Sequence, residues 1–166
     1  TSASPDQLQK CIKVLNMKCS EATFDGSLTF VIGENGKDLA QKFGLPPNQI
    51  IKIGNWVGPL LVQAAQNGVK KLLLFGYHGK LVKLSGAICN THHHLADGRL
   101  EVLTSLAVRE GIAFDLIKLI SKATSVENAL LALELSNPKD VDLIWRRMAS
   151  EIERKSTSYV NRFLSS

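Results

Sequence analysis

The stretch LTFVIGENGKDLAQKFGLPPNQIIKIGNWVGPLLVQAAQNGVKKLLLFGYHGK, residues 28–80, contains three short apolar runs that each end at a glycine. The runs are LTFVI (28–32), QIIKI (49–53) and KKLLLF (70–75). They start at residues 28, 49 and 70, a spacing of 21 residues, which leaves room for the helical crossover that joins parallel strands. Such runs of Leu, Ile and Val are typical of strands buried on both faces. We therefore predict an α/β fold with a short parallel sheet of βαβ units, similar to a Rossmann fold.

Helical patterns flank this core and divide the chain into three parts. Residues 1–27 predict an N-terminal helix and a connector, with Ser4 as the cap and Pro5 in the first turn. Residues 28–97 form the βαβαβ core. Residues 98–166 predict a helical extension packed on it, which begins after Asp97 as an N-cap and includes a capping box at Thr124 and Glu127.

The composition excludes several classes of protein. The chain has 166 residues, of which 45% are hydrophobic, and a net charge of +5 from scattered basic residues. No run of like charge predicts a nucleic-acid partner. No apolar stretch approaches the roughly 18 residues that a membrane span requires, and no signal peptide is visible. The three cysteines lack CxxC spacing, which favours a reducing compartment. We expect a cytoplasmic protein without nucleic-acid or membrane partners.

The glycines after the three runs predict one binding edge. Because parallel strands end at the same edge of a sheet, the segments GENGKD (33–38), GNWVG (54–58) and GYHGK (76–80) should lie together. Glycine allows the backbone to approach a ligand closely, and a following helix offers free N–H groups to an anion. The alternative is that these glycines only end strands in ordinary turns. Neither common nucleotide-binding motif is present.

The sequence NTHHHLAD, residues 90–97, raises the question of a metal site. His92 and His94 would point the same way in an extended segment, and Asp97 and His78 could add ligands. A second interpretation is a polar loop whose aspartate caps a helix, with His93 and His94 as ordinary polar neighbours. A third places one or two histidines and Lys80 against an anionic ligand. We predict no metal site and retain His78 and His92 as weak candidates for proton transfer, without an assignable partner acid.

Residues 28–110 resemble the signature region of the CbiD family, the cobalt-precorrin-5B C-1 methyltransferases of anaerobic cobalamin biosynthesis. The similarity runs through four groups of residues. They are Gly33, Asn35 and Gly36; Asn55, Trp56, Val57 and Gly58; Gly76, Gly79 and Lys80; and Asn90, Thr91, His92, Ala96, Asp97 and Arg99. Where many members place a histidine after the first glycine of the turn, this chain has Tyr77 and then His78.

The resemblance implies transfer of a methyl group from S-adenosyl-L-methionine to C-1 of a cobalt-precorrin, a corrinoid that bears many carboxylates. It implies that the matching residues of all four groups, apart from Val57, Asn90 and Ala96, bind cofactor or substrate. The family's N-terminal domain, with its Gly-x-Thr-Thr-Gly-x-Cys-Ala segment, has no counterpart in this sequence. The resemblance therefore implies a C-terminal part that is inactive alone and that partners the missing N-terminal domain; a homo-oligomer stays open. The alternative is a non-enzymatic α/β domain that binds an anionic small molecule or a partner.

Overall fold

A computed structural model describes residues 4–33, 36–92 and 95–165 of the chain. The described residues form three β-strands, which are β1 (Ser27–Ile32), β2 (Ile50–Ile53) and β3 (Lys71–Gly76). They also form eight α-helices, which are α1 (Pro5–Ser20), α2 (Gly36–Lys42), α3 (Val57–Gln66), α4 (His78–Ser85), α5 (Arg99–Arg109), α6 (Phe114–Lys122), α7 (Val126–Ser136) and α8 (Pro138–Leu164). None of these helices is long and apolar enough to cross a membrane.

The three strands form one parallel sheet in the order β2-β1-β3. Thr29 pairs with Ile50 on one side and with Leu73 on the other, which aligns the carboxyl ends of the strands at a single edge. The predicted α/β class, with its parallel βαβ core and helical C-terminal half, is confirmed. The strands are visible in the sequence as short apolar runs; β1 is buried on both faces as expected, whereas β3 is partly exposed.

One face of the sheet carries the larger core of this half. Phe30 and Ile32 of β1 are 0% and 1% exposed, and they pack in one cluster with side chains of α1 and α3, against which Ile152 and Val160 of α8 also pack. Ser4 caps α1 as predicted, since its hydroxyl accepts a hydrogen bond from the Gln7 N–H. This face is therefore closed by helices from both ends of the chain.

Among the described residues, the opposite face is covered by the short helix α2 and the segment that follows it. Its buried cluster consists of Val31, Ala40 and Ile50, with Phe75 packed beside it. Further out on the same face, Leu73 is 45% exposed. Phe43, just beyond α2, is 71% exposed and makes an edge-on contact with the Phe75 ring. The sheet is therefore well covered on one face and partly open on the other.

The helices after residue 98 enclose a second cluster, which includes Leu103, Ile120, Leu133 and Ile144. Two details differ from the sequence prediction. The cap of α7 is Ser125 and not Thr124, because the Ser125 hydroxyl accepts the Asn128 N–H. Helix α4 is not predicted from the sequence, because its buried residues 82–85 include the polar Lys83 and Ser85 and so do not follow residue type.

Candidate functional site

The site lies at the carboxyl edge of the sheet, as the three glycine-ended runs predict. β1 passes into Gly33, whose φ of +100° is a conformation that glycine adopts without strain. β3 ends at Gly76, where an added Cβ would sit 3.1 Å from the Ile32 carbonyl oxygen. Small residues at both positions let the strand ends lie close together and leave the backbone open at this edge.

The chain returns across this edge after α4 and joins the loop that follows β2. Trp56 and Asn90 form an antiparallel bridge. The Gly58 N–H donates to the Cys89 carbonyl oxygen at 3.0 Å, and the Thr91 N–H donates to the Asn55 carbonyl oxygen at 3.1 Å. Residues 55–58, which follow β2, are thus joined to residues 89–91, which follow α4, by backbone hydrogen bonds.

Side chains of Asn55, Thr91 and Lys80 complete this junction. Asn55 Oδ1 accepts from Thr91 Oγ1 at 2.8 Å and from Lys80 Nζ at 3.0 Å. Lys80 Nζ also donates to the Thr91 carbonyl oxygen at 3.1 Å. Thr91 is 0% exposed and Asn55 is 6% exposed. Both residues therefore position the ammonium group of Lys80, which is half-buried at the cavity wall.

Lys83, one helical turn beyond Lys80, is 1% exposed. Its Nζ donates to the carbonyl oxygens of Thr91 at 3.2 Å and Ala96 at 2.7 Å. The two ammonium groups thus share the Thr91 oxygen, and no carboxylate among residues 4–33, 36–92 and 95–165 forms an ion pair with either. This arrangement concentrates positive charge at the end of the sheet.

The two lysines hold their protons less tightly than exposed lysines do. Burial lowers the pKa of Lys80, and the Arg99 charge lowers it further. Burial also lowers the pKa of Lys83; the Asp97 carboxylate acts in the opposite direction, while Arg99 and Lys80 add to the decrease. An anionic ligand would offset both effects, because an opposite charge within a few ångströms favours the ammonium form.

Asp97 and Arg99 form a bidentate ion pair at the mouth of the site. Arg99 Nε donates to Asp97 Oδ1 at 2.8 Å, and Nη2 donates to Oδ2 at 3.0 Å. The Arg99 hydrogen bond is the main reason that the pKa of Asp97 falls to about 2. Asp97 Oδ1 also accepts the N–H groups of Gly98 and Arg99. The N-cap of α5 is Gly98 and not Asp97 as predicted, so Asp97 supports the start of the helix from the position before the cap.

These residues surround an open cavity of about 680 Å³ at the sheet edge, which we call the rim cavity. Its lining consists of Ile32, Gly33, Tyr77, His78, Gly79, Lys80, Lys83, Thr91, Asp97, Arg99 and Glu127. A neighbouring cavity of about 530 Å³ shares Asp97 and Arg99 with it and extends along the start of α5. The rim cavity is large enough for a drug-sized ligand.

Seven predicted residues line the rim cavity: Gly33, His78, Gly79, Lys80, Thr91, Asp97 and Arg99. Another five described residues are absent from the lining: Asn55 and Trp56 precede α3, Gly58 is in its first turn, Gly76 ends β3, and His92 follows Thr91. Gly36 opens α2, where a Cβ would overlap Val31 Cγ1, which suits close helix–strand packing. Asn35, His93 and His94 lie outside the described residues.

Gly58 permits the closest of these contacts. An added Cβ would lie 2.6 Å from Tyr159 Oη and 2.9 Å from Cys89 Cβ. Tyr159 belongs to the C-terminal part of α8, so the last helix presses directly on the loop that carries Asn55. The neighbouring Trp56 Nε1 is buried without an acceptor among the described residues. Buried N–H donors are seldom left unpaired. An acceptor from another part of the protein or from a ligand could therefore bind at this loop.

The histidines do not assemble a metal site in the described part of the chain, where no group of three or more His, Cys, Asp and Glu residues converges. The backbone N–H of His92 donates to Asn90 Oδ1 at 3.1 Å. The His78 ring lies 6.0 Å from the Trp145 ring of α8. Of the two candidates for proton transfer, His78 is the one at the cavity wall.

Sequence reasoning missed four lining residues, Ile32, Tyr77, Lys83 and Glu127. Lys83 could have been found, because a helix beginning at His78 places Lys80 and Lys83 on one face at i and i+3. Glu127 carries no such signal, since it comes from α7 and reaches the cavity only through the packing of the helical half.

A family model for the C-terminal domain of CbiD matches residues 90–164. A protein of Prochlorococcus marinus (strain NATL1A) is 77% identical over 165 residues, and one from strain MIT 9303 is 54% identical over 162. A protein of Parasynechococcus marenigrum (strain WH8102) is 48% identical over 162 residues. All three carry the name cobalt-precorrin-5B C(1)-methyltransferase. No solved structure matches the chain.

These similarities cover 98–99% of this chain but only 42–44% of each of the three relatives. The chain therefore spans less than half the length of the curated relatives that it matches. The half that carries the sheet lies outside the family model and is matched by the relatives alone.

Proposed function

This chain belongs to the CbiD family, and from that premise we propose that it forms the C-terminal part of a methyltransferase that acts on C-1 of a cobalt-precorrin in cobalamin biosynthesis. The three relatives described above bear that name. The observation that carries the proposal from family to site is the pair of ammonium groups at Lys80 and Lys83. They converge on the Thr91 carbonyl oxygen at the wall of a cavity of about 680 Å³.

The proposed methyl donor is S-adenosyl-L-methionine, which supplies an activated methyl group when it is bound. The rim cavity suits it in two respects. Lys80 and Lys83 would hold its carboxylate, because charge-assisted hydrogen bonds to carboxylates are among the stronger polar contacts in proteins. Gly33 and Gly79, both in the cavity lining, leave the backbone accessible. The carboxylates of a cobalt-precorrin present the same chemistry, so the same two ammonium groups are the proposed contact for either ligand.

The contribution of this chain to the reaction would be positioning. The corrinoid ring is itself the nucleophile in the proposed reaction, so no serine or cysteine nucleophile is required. Holding two reactants in the correct geometry removes much of the entropic barrier of a bimolecular step. Asn55 and Thr91 fix the Lys80 ammonium through hydrogen bonds of 2.8–3.1 Å. Asp97 holds Arg99 at the mouth in the same way.

Activity would require more than this chain. Each relative has more than half of its length outside the matched region, and the buried Trp56 indole N–H has no acceptor among residues 4–33, 36–92 and 95–165. We propose that an N-terminal domain of the full-length protein completes the site and that the isolated chain is inactive. Residues Gly33, Asn35, Gly36, Asn55, Trp56, Gly58, Gly76, Gly79, Lys80, Thr91, His92, Asp97 and Arg99 remain the proposed ligand-binding set.

Calorimetric titration with S-adenosylhomocysteine tests the proposal on this chain and on the full-length protein. We expect the full-length protein to bind, and Lys80→Met to weaken binding about tenfold or more, because a hydrogen bond to a charged group contributes about 1.5–3 kcal/mol. Lys122→Met, at an exposed position of α6, is the matched control and should bind as the unmodified protein does.

Absence of binding by the full-length protein would contradict the assignment of the methyl donor. Equal affinities of the Lys80→Met and Lys122→Met variants would instead remove Lys80 from the site. Binding without methylation of a cobalt-precorrin would favour the alternative, an α/β domain that binds an anionic molecule and performs no chemistry.

A further inference from the structure

Strand β3 is an edge strand whose residues 72–75 carry none of the charges or prolines with which proteins usually protect an edge; its one lysine, Lys71, lies at its start. In the order β2-β1-β3 it pairs with β1 on one side, and no described strand pairs with its other side. Alternate backbone N–H and C=O groups of β3 therefore face away from the sheet. An unpaired edge of this kind readily accepts another strand.

The side chains of β3 are apolar on both faces of this edge. Leu72 and Leu74 line an open groove of about 580 Å³ whose opposite wall includes Ile152 and Val160 of α8. On the other face, Leu73 is 45% exposed. A strand with the sequence KLLLFG would normally be buried on both faces, and here Leu72 and Leu74 are only partly buried on one face while Leu73 is exposed on the other.

The other edge of the sheet differs. β2 has only four residues, and Lys52 is exposed in the middle of it. Pro46 and Pro47 precede it. A short strand, a lysine and nearby prolines are devices that discourage pairing at an edge. The contrast indicates that the β2 edge is protected against pairing with a further strand and that the β3 edge is less protected.

We propose that an extended apolar segment of the full-length protein, from the region that this chain does not contain, adds to the β3 edge and fills the groove beside it. The relatives supply the occupant, since more than half of their length lies outside the matched region. Covalent linkage gives such a segment a high effective concentration at the edge, which a separate molecule lacks. Sheets of three strands are also smaller than most, which contain four to six.

Hydrogen exchange tests the proposal without any substitution. Amides of residues 71–76 should exchange at least tenfold more slowly in the full-length protein than in this chain. Residues 50–53 at the β2 edge and residues 114–122 in α6 should differ little between the two and serve as controls. Equal exchange of residues 71–76 in both proteins would overturn the proposal.

A second test places a protease site between the two parts of the full-length protein and asks whether they remain together after cleavage. We expect them to copurify, and Leu73→Lys to separate them. Leu119→Lys in α6 is the matched control, because Leu119 is 51% exposed and lies outside the groove; this variant should copurify. The isolated Leu73→Lys chain should keep nearly the same urea midpoint, which establishes that it folds.

Two results would overturn the proposal. Copurification of the Leu73→Lys variant as strong as that of the unmodified protein would show that the edge is not the interface. A dimer of the isolated chain that Leu73→Lys disrupts and Leu119→Lys does not, together with unchanged exchange of residues 71–76 in the full-length protein, would assign the edge to a second copy. This outcome is independent of S-adenosylhomocysteine binding, so the interface and the proposed function can fail separately.

Discussion

Lys83 is an almost fully buried cation that donates to backbone oxygens and forms no ion pair with a carboxylate in the described part of the chain. Its ammonium group donates to the carbonyl oxygens of Thr91 and Ala96, which lie on the segment that closes the carboxyl edge of the sheet. A buried charge is costly unless it is hydrogen-bonded. The two carbonyl oxygens offset part of this cost. The same hydrogen bonds hold the segment from Thr91 to Ala96, whose Thr91 also positions Lys80.

We predict that Lys83→Met destabilises the chain by about 1–2 kcal/mol. The substitution keeps the length of the side chain but removes the donor to the Ala96 oxygen, and an unsatisfied buried acceptor costs about 1–3 kcal/mol. Relief of the buried charge offsets part of this loss. Urea denaturation gives the free energy of unfolding, with the exposed Lys122→Met variant as the control. A Lys83→Met chain that is as stable as the control would show that the ammonium is not structural.

At the scale of elements, the rim depends on a contact between two segments that are distant in sequence. Tyr159 in α8 lies against Gly58 at the start of α3, and Cys89 approaches Gly58 from the returning segment. Burial raises the pKa of both the Tyr159 hydroxyl and the Cys89 thiol. Helix α8, the start of α3 and the segment at Cys89 therefore meet at Gly58, where the space beside the Cα is too small for a methyl group.

We predict that Gly58→Ala costs about 1–3 kcal/mol, since over-packing a well-filled site forces side chains and backbone to shift. Gly79→Ala is the matched control, because its added methyl group would lie 3.9 Å from the nearest atom, Arg99 Nη1. That variant should be neutral or slightly stabilising, as alanine is favoured in helices.

Thermal or urea unfolding of the two glycine variants gives the comparison. Gly58→Ala should cost less in a Tyr159→Ala background than in the unmodified chain, because most of the clash is with the tyrosine, although Cys89 Cβ stays close. Equal stability of the Gly58→Ala and Gly79→Ala chains would mean that the contact between α8 and the loop relaxes without cost.

The sequence predicted elements whose burial follows a simple pattern. The strands are continuous apolar runs, and β1 is buried from Leu28 to Ile32. Helices α1 and α6 have one apolar side. Helix α4 was not predicted because its buried residues 82–85 include a lysine and a serine, so burial there does not follow residue type. From the sequence, Lys83 is expected to be exposed to solvent, whereas in the structure it is 1% exposed.

At the scale of the molecule, two apolar clusters are joined by shared side chains. One cluster lies under the sheet and the other inside the helical half, and Leu81 of α4 and Ile152 of α8 pack against both. Helix α8 has 27 residues and contributes Ile144 and Met148 to the helical cluster. The division of the chain at residues 27 and 97 remains a prediction, but the packing links the stability of these segments.

We predict that the two halves unfold together. The chain has two tryptophans, Trp56 beside the sheet and Trp145 in α8, so Trp145→Phe and Trp56→Phe variants each leave one fluorescent reporter. In each variant the fluorescence and far-ultraviolet circular dichroism transitions in urea should coincide, as two-state unfolding requires. Fluorescence and circular dichroism midpoints that differ within either variant would contradict a single cooperative unit.

The composition of the site could be predicted only in part, because the site is a product of tertiary packing. The glycines and Lys80 lie next to predicted strand ends, and the rule for parallel sheets brings them together. Glu127 and Tyr159 reach the rim from helices α7 and α8, whose packing on the sheet depends on side-chain fit rather than on any local pattern. Asp97 and Arg99 were found through the family resemblance.

The contact between Tyr159 and Gly58 also has a consequence for synthesis. The ribosome releases β1, β2 and β3 well before α8, so the nascent sheet emerges while Ile152, Val160 and Tyr159 are still untranslated. During this interval the apolar strands and the rim loop lack their final cover, a state that is prone to aggregation. Because α8 is translated last, the rim loop acquires its packing partner Tyr159 only at the end of synthesis. The exposed strands are most prone to aggregation between the release of β3 and that of α8.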